Sequence, residues 1–566
     1  MQKKIITVVF VAILVLSMMT VLTARAATEE EIEDAIALGV AYLAGQQNPD
    51  GSWGLKDSVK TAYTGLVLMK LQMRAYELGY ESPFDPAYPY SSNVISGWSF
   101  IFSTDGAGNP LYAPKQTLSL QDHTGGASGT VDDPDTNRNG YGIYFDNPWP
   151  FYSVYTTGIV LMALQASGTP NRPNDGGIDY DGDGFADTFG QIAQDAVDWL
   201  AWAQGDSGND EGGWAYWALD NQMMNDWTDN SNGGYAVLGL AAGEGFGCTV
   251  PAWVRTELNV WITTIQDPVD GDPDDGGSYY NPDWGPTWEN ELKTGNLIFE
   301  MTFYGDVPGV PRFDAAMDYI ERHWNDMNND PGWGYGISPS NYQAMFCLMK
   351  GFEYSGIDLI DLDGDDTPEH DWYDEFADVL ISQQNPDGSW YMGGYGDAVI
   401  DTAWALLTLE KVAPPPPIIT VYVDIKPGSW PNPINIRSKG VFAVAICGTE
   451  EFDVMTIDPT TVKIYIEGIE EGVSPLRWSY EDAATPYTGE PGGGHELEGD
   501  GFLDLVFHFD TQTVVTRLSL NQHVGETIPL IIMGNLYEDA GGKPIKGQDY
   551  VWILQPSRRG SINIPI

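Results

Sequence analysis

Oxygen ligands at fixed spacing are the most explicit chemistry in this sequence. Asp179, Asp181, Asp183, the Phe185 carbonyl and Asp187 fall at positions 1, 3, 5, 7 and 9 of one loop, with Gly184 at position 6. At that spacing a short loop wraps its oxygens around calcium, and the glycine permits the sharp turn. Position 12, where a bidentate Glu completes the tightest loops, is Gly190. Glu496, Glu498, Asp500, the Phe502 carbonyl and Asp504 repeat the spacing around Gly501. Asp361-Leu362-Asp363-Gly364-Asp365-Asp366 is a partial version, and Asp135, Asn137, Asn139 and Gly140 a weaker one. These loops predict structural calcium; solvated acidic loops are the competing reading.

Acid chemistry is the second possibility. Asp401 stands at the start of an apolar stretch, Ala403 to Leu409, with Asp397 just before it. Burial there raises a carboxyl toward a general-acid pKa, whereas a helix N-terminus stabilises the carboxylate. Glu291 and Asp229, just before two earlier apolar stretches, are the other acids nearest the expected pocket. Glycan hydrolysis needs two such acids facing one pocket.

The elements that position these residues come from internal repetition. Gln46-Gln47-Asn48-Pro49-Asp50-Gly51-Ser52-Trp53 recurs letter for letter from Gln383 to Trp390. Looser copies are Asp210-Glu211-Gly212-Gly213-Trp214, Asp275-Gly276-Gly277-Ser278-Tyr279, Asp330-Pro331-Gly332-Trp333 and Asn139-Gly140-Tyr141. Each full copy follows an amphipathic helical stretch and precedes an apolar one, so each is the turn of a helical hairpin. Six hairpins with apolar second helices predict an all-α, α6/α6 ring over residues 27–412, closed because the first and last copies are identical. In register, Tyr63, Thr156, Asn232, Lys293, Asn341 and Asp401 form one column at the inner-helix N-termini. Thr64, Thr157, Thr294 and Thr402 form the next, which suits capping and ring packing. The first column, with Trp214 and Trp333 in the adjacent turns, is the expected ligand site. Tyr216, Trp217, Trp227, Tyr279, Tyr280, Trp284, Trp288 and Tyr335 lie in the same turns and either stack on a ligand or pack in the core.

The Gln-rich Asp-Gly-Ser-Trp turn resembles the QW motif of squalene and hopene cyclases. That resemblance implies a terpenoid-cyclase-like toroid, a ring also used by protein prenyltransferases and by complement and macroglobulin thioester domains; some polysaccharide lyases use a related one. The chemistry of these families is not matched. The nearest match to the cyclase D-x-D-D is Asp397-Ala398-Val399-Ile400-Asp401-Thr402-Ala403, whose Asp401-Thr402-Ala403 resembles the motif's end but has Ile400 in place of the paired carboxylate. No Cys has the His and Asp neighbours of a prenyltransferase zinc site, and Gly247-Cys248-Thr249 is not a thioester motif. The C-terminal stretch, with Val423-Asp424-Ile425-Lys426-Pro427-Gly428-Ser429, Pro431-Asn432-Pro433 and Arg477-Trp478-Ser479-Tyr480-Glu481-Asp482, resembles a module at the ends of secreted prokaryotic proteins. It implies cell-envelope attachment or an accessory role.

Lys3 and Lys4, an apolar run from Ile5 to Leu22 and Ala24-Arg25-Ala26 have the grammar of a secretory signal peptide over residues 1–26; an uncleaved anchor is the alternative. The expected location is extracellular or at the cell surface. A Pro-rich linker, 413–418, precedes period-2 alternation that predicts an all-β, sandwich-like domain over 419–556, then a tail, 557–566. With 81 acidic against 26 basic residues the formal charge is −55, which excludes nucleic acid as a partner and favours bound cations. Cys248, Cys347 and Cys447 fit buried thiols with at most one bridge, and neither a zinc site nor a nucleotide cofactor is expected. The reading is a secreted ligand-binding protein for a glycan, lipid or protein, lacking cyclase and prenyltransferase chemistry. A glycan hydrolase or lyase, and a terpene cyclase with a displaced acid, are the alternatives.

Overall fold

The computed structural model describes residues 27–411 and 419–554, apart from 124–125, 128, 150, 207, 219–227, 285–287, 365–366, 394–396, 450–451, 467–471, 488, 490–492 and 538–543. The signal segment, the linker, the tail, Trp227, Asp365 and Asp366 lie outside the described residues. The chain divides into two compact units between Pro415 and Pro416.

Twelve helices of the first unit alternate in character. α1 (Glu29–Gly45), α3 (Ser91–Ile101), α5 (Phe189–Trp202), α7 (Ala252–Ile265), α9 (Pro311–His323) and α11 (Trp372–Gln383) alternate with α2 (Lys60–Glu77), α4 (Ser153–Ala166), α6 (Asn230–Gly245), α8 (Glu291–Tyr304), α10 (Tyr342–Ser355) and α12 (Ala398–Leu409). α1 buries a single stripe, Ala35, Ile36, Gly39, Val40 and Leu43. α4 buries all but two of its 14 residues, so it has neighbours on every side. The even-numbered helices pack in a closed cycle, each on the next, and α12 returns to α2.

The repeated turn explains the closure. Gln47, Gln204, Gln266 and Gln384 each donate to the carbonyl of their own turn glycine and to a carbonyl of the next odd-numbered helix: Asn93, Val254, Arg312 and Ala35. The last of these carries the sixth hairpin back to the first. Trp53, Trp214, Trp333 and Trp390 are at most 1% exposed and donate their indole N–H to Leu43, Leu200, Trp324 and Leu380 at the end of the preceding helix. The threonine column is structural as well. Thr64, Thr157, Thr294 and Thr402 accept the backbone N–H of Trp53, Phe145, Ser278 and Trp390, which pins each turn to its even-numbered helix.

Neither unit is of one element type. The connections of the helical unit carry short antiparallel pairs, such as Lys115–Thr117 with Tyr141–Ile143. The second unit contains α13 (Thr511–Arg517), capped by Asp510. The expectation of a purely α unit followed by a purely β one is corrected: long loops and a strand-to-strand crossover leave room for local elements that periodicity over whole domains does not see. The second unit's strands are β1 (Ile419–Thr420), β2 (Val423–Ile425), β3 (Pro433–Asn435), β4 (Val441–Ile446), β5 (Ile457–Tyr465), β6 (Arg477–Glu481), β7 (Asp504–Asp510), β8 (Thr527–Leu536) and β9 (Pro544–Leu554). They form two sheets, β6-β7-β4-β2 and β5-β8-β9-β1, with β3 also on β9. Alternate residues of both, among them Ile425, Val444, Phe507, Ile464, Ile532 and Val551, share one apolar core. All three cysteines are free thiols. Among the described residues no helix is long and apolar enough to cross a membrane.

Candidate functional site at the mouth of the helical cycle

All the repeated turns lead into N-termini of the even-numbered helices, so their loops gather at one mouth of the cycle. Hydrogen bonds lace them there. Tyr216 accepts Val154 N–H, Tyr280 accepts Asn230 N–H, and Asp397 accepts Leu55 N–H. Along these loops Leu55, Trp149, Phe151, Trp284, Trp288, Tyr335 and Tyr391 are exposed, from 37% for Tyr335 to 82% for Leu55. Several form a continuous wall. Phe151 stacks on Tyr216 at 5.5 Å and meets Trp217 edge-on; Tyr216 and Tyr280 share a 2.8 Å hydroxyl contact; Tyr280 then packs on Trp284, and Trp284 on Trp288.

Below the wall the side chains become polar and buried. Asp229 caps α6, and its carboxylate takes Asn232 N–H and Nδ2, the Ser231 hydroxyl and the Tyr280 hydroxyl. Burial raises its pKa, and these donors oppose the rise. The Lys293 ammonium lies 5.7 Å from the Tyr280 ring centroid. Burial lowers Lys293 to about 8, against the charges of Glu289, Asp229 and Asp330. Tyr155 packs on Tyr235 at 4.8 Å, and Trp404 donates to Tyr235 from α12. Asp401 is fully buried at the far side, where its charge acts on Tyr63 of α2 and Tyr342 of α10. One Asp401 oxygen accepts Met392 N–H at 2.9 Å; among the described residues the other has no hydrogen-bond partner. Burial lifts this acid to about 6, the Met392 bond lowers it, and Asp397 adds a small rise.

The column expected to hold a ligand is therefore divided. Tyr63, Asn232, Lys293 and Asp401 stand around the polar floor. Thr156 is saturated by Asn147 and the Tyr152 carbonyl, and Asn341 caps α10. Trp214 and Trp333 are corrected from ligand contacts to core residues, because each ring is buried and its N–H is used by a helix end. Asp397 is a cap as well, bonded to Val399 N–H. Glu291 accepts Trp333 N–H, and burial raises it to about 8. Sequence reasoning missed Trp149, Phe151, Tyr155, Tyr235, Tyr391 and Trp404. The signal for three of them was position, in the few residues between a turn and the following helix.

The acidic loops divide too. Among the described residues three groups bring carboxylate oxygens within 4.8 Å of one another: Asp179, Asp181 and Asp187; Asp267, Asp272 and Asp275; and Asp361, Asp363 and Glu369. The first holds three of the four aspartates expected there, without Asp183. Asp179 takes Gly182 and Gly184 N–H, Asp181 takes Asp183 N–H, and Asp183 takes Phe185 N–H. Asp187 is raised by burial and by the charges of Asp181, Asp179 and Asp183; the oxygens that converge are those of Asp179, Asp181 and Asp187. The Phe185 side chain stays in solvent, leaving its carbonyl as the ligand the spacing assigns. The second group was not foreseen, since its spacing matches no loop pattern. Among the described residues the acids of the loop at Glu496, Glu498, Asp500, Phe502 and Asp504 do not form a converging group of three. Asp504 spends its oxygens on the N–H groups of Gly448, Ala483 and Ala484, and Asp500 turns to Phe502 N–H. The spacing there serves loop anchoring.

No family model and no curated protein matches the chain. Among solved structures it is similar to ent-copalyl diphosphate synthase from Streptomyces platensis, at 12% identity over 68% of this chain and 96% of that one, with a TM-score of 0.20. It is also similar to endoglucanase CelQ from Clostridium thermocellum complexed with cellotriose, at 12% identity over 86% and 89%, with a TM-score of 0.22.

Proposed function

We propose that the helical unit, an α6/α6 toroid followed by a sandwich-like β domain, binds a glycan chain at the mouth of its ring. The carrying observation is the aromatic wall from Phe151 through Tyr216 and Tyr280 to Trp288, set above Asp229, Lys293 and Tyr63. Sugar rings present flat C–H faces that stack on exposed aromatics, and hydroxyls that need fixed donors and acceptors; the wall and the floor supply the two in order. Export by the N-terminal segment and attachment through the C-terminal unit would place this mouth outside the cell.

Trp284→Ala with Trp288→Ala removes exposed rings only, so melting stays within about 1 °C of the parent. Affinity for the oligosaccharide selected from a glycan panel should fall by about tenfold or more, as one to two lost stacking contacts imply. Calorimetric titration that finds equal affinity in parent and double variant removes the mouth as the site.

A second reading rests on Asp401. A buried carboxyl near 6 with one free oxygen suits a general acid, for hydrolysis of the bound glycan or for protonation in a cyclase-like reaction. Binding alone is the leading reading, because Asp397, the acid beside it, is committed to capping α12 and holding Leu55.

Calcium completes the proposal for the loop at Asp179, Asp181, Asp183 and Asp187. Oxygen ligands of like charge converge there with no cationic side chain among their hydrogen-bond partners. A cation bound only by the folded chain stabilises it by mass action, so chelation lowers the melting temperature and opens the 170–190 connection to protease. Asp181→Asn should reproduce most of the chelator's effect; identical melting with EDTA and with calcium at low salt excludes the site.

A further inference from the structure

In the second unit, β2 alternates. Val423 and Ile425 enter the apolar core between the sheets, so Asp424 faces the other side. It pairs with Ala445 across the strand and sits beside a small cluster of Ala445, Cys447, Ala484 and Val506. Only 9% of Asp424 is exposed, and its Oδ2 has no hydrogen-bond partner. Asn432 is 1% exposed. Its amide N–H groups go to Asp549 Oδ2 at 2.8 Å and the Tyr550 carbonyl at 3.0 Å, and its Oδ1 has no hydrogen-bond partner. Asp549 Oδ2 also takes the N–H of Ile425, the residue after Asp424, at 2.7 Å.

Asp424, Asn432 and Asp549 therefore lie at the junction of β2 and β9, where Asp549 accepts Ile425 N–H, Asn432 Nδ2 and Tyr550 N–H, while Asp424 Oδ2 and Asn432 Oδ1 are buried with no hydrogen-bond partner among the described residues. An unsatisfied buried acceptor costs about 1–3 kcal/mol, and more when charged. Asp424 is lifted to about 7 by burial, then by the charges of Asp549 and Asp504; burial raises Asp549 too, opposed by its Ile425, Tyr550 and Asn432 donors and by the His495 charge. The Lys426 ammonium, two residues along from Asp424, donates to the Pro433 carbonyl. Asp504 is occupied by three backbone N–H groups, and His495 faces Asp549 with a buried Nε2 that has no partner.

We propose that Asp424, Asn432 and Asp549 bind a divalent cation, calcium, in the C-terminal unit, at a site separate from every acidic loop of the helical unit. Hard oxygen ligands from two charged groups and one neutral amide suit calcium, which completes its shell with carbonyls and water. The ion satisfies the orphaned Asp424 and Asn432 oxygens together and ties the β2 edge to β9. A shared proton is the rival, since it also relieves the acid pair.

The test uses the full chain. Calcium binding is counted by flow dialysis, and melting is followed with EDTA and with calcium, for the parent, Asp424→Asn and Asp181→Asn. Asp424→Asn should bind about one ion fewer than the parent, with Asp181→Asn lowering the count independently. With EDTA, Asp424→Asn should melt no lower than the parent, because repulsion is gone; with calcium it should lose part of the parent's upward shift. An unchanged ion count in Asp424→Asn overturns the site and leaves the shared proton. Zinc binding that depends on His495, with calcium count unchanged, overturns the assignment of the ion. Lower melting of Asp424→Asn in EDTA assigns the aspartate a purely structural role and overturns the proposal as well.

Discussion

Gly388→Ala destabilises the helical unit by roughly 2–5 kcal/mol, combining the cost of an unfavourable backbone region with that of overpacking. Gly388 has φ +90°, and a Cβ there meets the Leu38 carbonyl oxygen of α1 at 2.4 Å. This is the contact by which the sixth turn reaches the first hairpin. The neighbour is helix backbone, so it cannot rotate away. Gly276→Ala should behave alike, since its Cβ meets the Ala315 carbonyl oxygen of α9 at 2.1 Å with φ +84°. Gly79→Ala is the control: φ is +82° and nothing lies within 4 Å, so it pays only the backbone part, about 1–2 kcal/mol. Urea unfolding followed by tryptophan fluorescence measures all three. If Gly388→Ala matches Gly79→Ala, the sixth turn does not press on α1 and the ring is not closed there.

Melting temperature in the absence of divalent cations rises as pH falls from 8 to 5. Burial raises Asp195 and Asp198 to about 7, Glu291 to about 8 and Asp401 to about 6. A carboxyl whose folded pKa is raised keeps its proton where the unfolded chain has lost it. Its contribution is complete below the unfolded value near 4 and is lost as pH rises through the folded value. Between these limits each group changes stability by up to about 1.4 kcal/mol per pH unit. The net charge of −55 acts in the same direction, because protonation lowers self-repulsion. Asp401→Asn removes the part between about 4 and 6, and Asp198→Asn the part reaching to about 7. Scanning calorimetry across this range in EDTA checks it. A melting temperature that falls on acidification places these acids in contact with water or cations.

The glycine and glutamine of the repeated turn were legible because their work is local and repeated. Each bonds or touches its own turn and the next helix in the two identical copies; Gln204 and Gln266 make the same bonds ahead of looser turns that did not reveal them. The same periodicity gave twelve helices and their alternating burial. The site was less legible. Trp214 and Trp333 have the residue type of a stacking platform, but their turn geometry aims both rings into the helix ends. Trp284 and Trp288 were named beside them in the sequence, and only their exposure separates them from core tryptophans. The Asp504 loop shows the same limit. Its spacing equals that of the Asp179 loop, yet three backbone N–H groups from Gly448, Ala483 and Ala484 occupy the oxygens that an ion would need.

The sequence by itself determined the hairpin count, the turn that joins them, the change from helical to strand periodicity after the prolines and the acidic excess. These follow from local rules of backbone geometry, period and charge, which act within a few residues. Tertiary structure alone decided which aromatics face solvent and which acids lose their water, because burial depends on partners far away in the chain. Asp401 shows why. Its pKa is set by residence between α2, α10 and α12, with Met392 N–H donating to it, and no window of sequence around it contains Tyr63 or Tyr342. Asp424, Asn432 and Asp549 are joined in the same way: more than a hundred residues of chain separate the last from the first two, and only the meeting of β2 with β9 brings them together.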